Sequence, residues 1–126
     1  MQKSFVKEFK LYCKKKNLDV NSHQIKLIKI LEEYYKLNYK SFISKILSKK
    51  NYKKGFYLYG DVGVGKTMIL DFFFNLVEGK KLKLHFNEFM LSFHDFVHQS
   101  KGKNDENKIS KFVKKLKSKA KLIYFD

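Results

Sequence analysis

The chain has 126 residues, enough for one domain with a real core. Its 28 basic and 12 acidic side chains give a net charge of +16, while 44% hydrophobic and 17% aromatic content argue against intrinsic disorder. There is no Pro, no Trp and no Arg, so every one of those cations is Lys. In chain order, Phe5, Val6, Phe9, Tyr12 and Cys13 recur at helical spacing and predict an amphipathic helix over 3–15. Asn21 or Ser22 caps a second helix carrying Ile25, Leu27, Ile28, Leu31, Tyr34 and Tyr35. Phe42, Ile43, Ile46 and Leu47 predict a shorter third. Gly55-Phe56-Tyr57-Leu58-Tyr59, apolar, aromatic and bounded by glycines, reads as a buried strand. A helix over 68–77, a strand over 81–86 and a helix over 88–98 follow. After a loop at 102–105 come a basic helix over 106–120 and a strand over 122–125. Strands alternating with helices predict an α/β fold with a parallel sheet.

The charge is unevenly spread. Residues 1–54 hold 15 Lys against 4 acidic residues, and residues 80–126 hold 12 Lys against 5. Residues 55–79 hold 1 Lys against 3. Chemistry is expected in that nearly neutral, glycine-bearing middle. The Lys excess, with abundant Asn, Ile, Phe and Tyr, reads as AT-rich coding bias. A nucleic-acid or anionic-membrane surface is the competing reading, although phosphate binders favour the planar fork of Arg. Lys114, Lys115, Lys117, Lys119 and Lys121 are accordingly expected to form a solvated helix face. Cys13, the single cysteine, cannot make an intramolecular disulfide; it is expected to be a buried thiol in a reducing compartment. No stretch reaches the ~18 apolar residues of a membrane span, and no signal or transit pattern opens the chain. A soluble, cytoplasmic protein is expected.

Gly60-Asp61-Val62-Gly63-Val64-Gly65-Lys66-Thr67 fits the phosphate-binding loop, with two glycines five positions apart followed by Lys and Thr. A polyphosphate is wrapped by successive backbone N–H groups, so side chains must be absent where the chain turns tightest. Gly60, Gly63 and Gly65 meet that demand. The helix that follows points its N-terminal dipole at the phosphates. In this reading Lys66 places its ammonium between the β and γ phosphates, and Thr67 gives its hydroxyl to Mg²⁺. The other half of such a site is an acidic residue ending a later apolar strand. Leu122-Ile123-Tyr124-Phe125-Asp126 supplies it, with Asp126 holding Mg²⁺ through water. Lys66 and Asp126 are thus the candidate catalytic residues, Gly60 to Thr67 the nucleotide-binding ones, and Thr67 and Asp126 the metal-binding pair. ATP and Mg²⁺ are the expected cofactors.

Residues 55–74, with Leu84-His85-Phe86-Asn87-Glu88-Phe89-Met90 and His94, resemble the bacterial cell-division ATPases of the ZapE type and their mitochondrial AFG-type relatives, within the AAA ATPases. The helix around Gln24 resembles the N-terminal helical region of that family. Asn87 stands where the family has a second histidine. The resemblance implies a P-loop NTPase three-layer α/β domain over 55–126, incomplete and with its first three strands, behind a helical segment over 1–54. It implies ATP hydrolysis driving the remodelling of protein partners, in bacteria in the context of cell division, and leaves room for a homo-oligomer. The family continues beyond the aspartate with a Glu, a sensor strand, an arginine finger and a helical lid. Its sheet order, 5-1-4-3-2, gives the first strand neighbours that come later. The expectation is therefore a truncated ATPase that binds nucleotide and does not hydrolyse it alone, unless a second polypeptide completes the domain. The alternative is a basic nucleic-acid-binding module with a vestigial phosphate loop; family resemblance points away from it.

Overall fold

The computed structural model describes residues 4–39, 54–60, 65–100 and 105–126, without the side chains of 105 and 106. Its elements are α1 (Phe5–Lys15), α2 (Ser22–Tyr39), α3 (Lys66–Leu76), β1 (Lys81–Leu84), α4 (Phe86–Gln99), α5 (Asp105–Lys119) and β2 (Leu122–Phe125). The predicted helix at 42–47 lies outside the described residues. The chain divides into two compact units, Met1–Val77 and Glu78–Asp126.

In the first unit α1 buries Phe5, Phe9 and Cys13, the i, i+4, i+8 stripe of an amphipathic helix. The Ser4 side chain does not cap α1. Its first N–H, that of Phe5, instead donates to the Glu32 carboxylate of α2 at 3.3 Å, a negative charge at the positive end of the helix dipole. α2 starts with a reciprocal capping box. The Gln24 N–H donates to Asn21 Oδ1 at 2.9 Å, and the Asn21 N–H donates to Gln24 Oε1 at 3.1 Å. The core is aromatic. Phe72 packs on Phe9 and Tyr12, and Phe73 on Phe5 and Tyr34, with ring centroids 5.1–6.2 Å apart. Phe72 and Phe73 fill the interface with α1 and α2, whose rings supply the partners. Burial, reinforced by the phenols of Tyr34 and Tyr35, pushes the Tyr39 hydroxyl up to about 12. Burial also raises the Cys13 thiol, which is fully enclosed.

Residues 55–60 form no strand, contrary to expectation. A strand exists only through ladder bonds to a neighbour, and no described residue offers 55–59 such a partner. The segment lies instead beside α2 and α3, where Leu27, Leu31, Phe56, Leu58 and Leu70 help line an apolar cavity of about 280 Å³. Tyr57 and Tyr59 project outward, 88% and 82% exposed.

In the second unit β1 and β2 pair in parallel, Lys81 opposite Leu122 and Leu84 opposite Phe125. The described sheet thus has two strands where three were expected. α4 and α5 form the crossover that parallel pairing demands. Its core centres on Phe112 of α5, whose ring meets Phe89, Phe93 and Phe96 of α4 at centroid distances of 5.2–5.7 Å. Ala120, Leu122 and Tyr124 complete the buried set. The lysines of the basic run are exposed, as expected of a solvated face.

Candidate functional site

Gly65 fixes where α3 begins. Its backbone adopts φ 83° and ψ 20°, the left-handed region that a Cβ disfavours. Its carbonyl then accepts the first helical bond, from the Ile69 N–H at 3.0 Å. A Cβ at Gly65 would also stand 3.3 Å from Gln24 Nε2 and 3.5 Å from Met68 Cε. No side-chain hydrogen bond caps α3. The start of α3 carries the positive end of its dipole, a place that favours an anion. The Lys66 ammonium donates to the carbonyl oxygen of Gly60, tying together the two described ends of the loop. Thr67 is exposed in the first turn. Asp61, Val62, Gly63 and Val64 lie outside the described residues.

Asp126 belongs to the second unit and directly follows β2. Its N–H donates to the Leu84 carbonyl at 2.9 Å, and its own carbonyl accepts the Phe86 N–H at 3.2 Å. The backbone ladder thereby extends to the last residue and holds Asp126 at the carboxyl end of the parallel pair. Ligands of open α/β sheets bind at that end. The carboxylate is 37% exposed, and its Oδ2 lies 3.9 Å from Nδ1 of His85, the residue between β1 and α4. Within the first unit Gly60, Gly65, Lys66 and Thr67 are gathered around the start of α3; Asp126 is positioned by the other unit.

Two neighbours escaped the reading of the motif. His85 was singled out only by resemblance, and nothing in its spacing announces the approach to Asp126. Gln24 was seen only as part of a helix. The Asn21-x-x-Gln24 spacing carries the capping-box signal, but the approach of Gln24 to the space beside Gly65 is tertiary and has no sequence signature.

A family profile described as AFG1-like ATPase matches residues 12–126, which include both the loop and Asp126. The chain belongs to the AFG1-like ATPase family. Lactation elevated protein 1 homolog B of Danio rerio is 43% identical over 67 residues, 52% of this AFG1-like chain and 13% of that protein. Cell division protein ZapE of Escherichia coli K12 is 34% identical over 74 residues, 58% of this chain and 19% of that one. The chain thus spans about a fifth or less of the length of these relatives. No solved structure matches it. Among the described residues, no helix is long and apolar enough to cross a membrane.

Proposed function

We propose that this chain binds Mg-ATP through residues 60–67 and carries the nucleotide-binding part of an AFG1-like ATPase. The observation that carries the reading is the start of α3: a left-handed Gly65, the positive end of the helix dipole and the adjacent Lys66 ammonium, all within a phosphate-loop sequence. On binding, Lys66 exchanges the Gly60 carbonyl for phosphate oxygens, a stronger, charge-assisted partner. The Thr67 hydroxyl and the Asp126 carboxylate are hard oxygen donors of the kind Mg²⁺ prefers, and both are accessible. Magnesium bound there would supply positive charge against the phosphates. Residues 55–126 are then the leading part of the ATPase domain and 1–54 a helical segment before it. Coupling of hydrolysis to the remodelling of protein partners, with a cell-division context as in the name of ZapE, belongs to the same proposal. So does a cytoplasmic location.

Titration calorimetry of the chain with Mg-ATP tests the reading. Lys66→Ala should weaken binding by about thirtyfold or more, the worth of one or two charge-assisted hydrogen bonds, with an unchanged melting temperature. Asp126→Asn should lower the Mg²⁺ dependence of binding without abolishing it. Equal affinity of Lys66→Ala and the parent would refute the assignment.

A further inference from the structure

Gln24 is a buried polar residue, at 8% exposure. Its carboxamide has two different ends. Oε1 accepts the Asn21 N–H at 3.1 Å and closes the capping box of α2. That bond fixes which end is which, since only the oxygen can accept. Nε2 then lies 3.3 Å from the point a Gly65 Cβ would occupy, against the residue that turns the phosphate loop into α3. Two elements distant in sequence thus meet through one amide, with its donor end towards the loop.

The capping box alone does not require glutamine. Glutamate serves equally at this position, and its charge suits the N-terminus of a helix. The loop does discriminate, because a carboxylate beside Gly65 would repel a polyphosphate, whereas N–H groups favour one. We propose that Gln24 is a positioning residue of the phosphate loop: its neutral carboxamide braces the Gly65 corner against α2 and keeps that corner compatible with a bound polyphosphate. This inference rests on the nucleotide-binding reading above.

Gln24→Glu separates the two roles, because it keeps the capping acceptor and changes only the sign presented to the loop. Calorimetry of the full chain with Mg-ATP, Mg-ADP and AMP, alongside thermal melting by circular dichroism, provides the measurement. Gln24→Glu should stay folded, with the melting temperature reporting the cost of a carboxylate at this buried position. It should lose about tenfold or more in ATP affinity, as expected for a like charge brought close to the phosphates, with a smaller loss for ADP and the smallest for AMP. Gln24→Met, which keeps the bulk but not the cap, should lower the melting temperature and weaken the three nucleotides evenly. Unchanged ATP affinity in Gln24→Glu, or an even loss across nucleotides, would overturn the proposal, whether or not the melting temperature falls. If Lys66→Ala also binds ATP as the parent does, the nucleotide reading fails and the role of Gln24 fails with it. If Lys66→Ala loses binding while Gln24→Glu keeps it, only the role of Gln24 falls.

Discussion

The two units use aromatic residues in different ways. In the first, rings from three helices enclose one another, and Phe9, Ile28, Ile69, Val77 and Cys13 are almost wholly removed from solvent. In the second, Phe112 is surrounded by rings of α4 that are themselves only half-buried, and α4 buries no residue fully. Phe86 and Leu91 of that helix are 56% and 65% exposed. Aromatic content therefore does not set the depth of a core; it is set by how many elements converge on each ring. Phe72 and Phe73 of α3 meet rings from both α1 and α2, whereas the ring contacts of Phe112 come from α4 alone. The phosphate loop feeds directly into the deeper core, since α3 carries Lys66 and Thr67 at its start and Ile69, Phe72 and Phe73 a turn later. Asp126 rests on backbone pairing instead.

The largest expected effect would break this contrast if it failed. Phe9→Ala should destabilise the first unit by about 3–5 kcal/mol, because it removes a fully enclosed ring from close packing. Phe112→Ala should cost the second unit less, about 2–3 kcal/mol, because its half-open ring partners can collapse into the space or rehydrate. Hydrogen exchange of α1 and α3 amides reads the first loss, and that of β1 and β2 amides the second. A larger loss at Phe112 would reverse the ranking. Gly65→Ala comes next, at about 1–3 kcal/mol. It forces a Cβ into the left-handed region and towards Gln24. Chemical denaturation measures the cost. Mg-ATP affinity should fall more steeply than stability, since the strain sits at the loop itself.

Helical periodicity made α1, α2, α3, α4 and α5 legible, with the ends of α1, α3, α4 and α5 within two residues, and the alternation of strand and helix made the parallel pairing of β1 with β2 legible. Helices and caps are local, so Asn21 and the stripe Phe5, Phe9, Cys13 carry their own signal. The segment at 55–59 has equal β-propensity, yet a strand is defined by its neighbour and not by its composition. The same division holds in the site. Gly65, Lys66 and Thr67 stand out as candidates because a phosphate-loop pattern is local. The approaches of Gln24 to Gly65 and of His85 to Asp126 were not legible, because each joins residues that only the fold brings together.

The smallest expected effect sharpens the comparison from its shallow side. Leu91 lies on α4 between Phe89 and Phe93, so composition alone would place it in a core as firmly as Ile69. The helical turn sets it elsewhere. Phe89, Phe93 and Phe96 follow one face at spacings of four and three, and Leu91 falls on the opposite one, where it keeps 65% of its surface. Little apolar area returns to water on truncation, and no cavity forms. Alanine is also a slightly better helix former than leucine. Leu91→Ala should therefore shift the unfolding free energy by less than about 0.5 kcal/mol in either direction, measured by urea denaturation. A loss above ~1.5 kcal/mol would mean that Leu91 is covered in solution, and the second unit would then have a deeper core than its own residues provide.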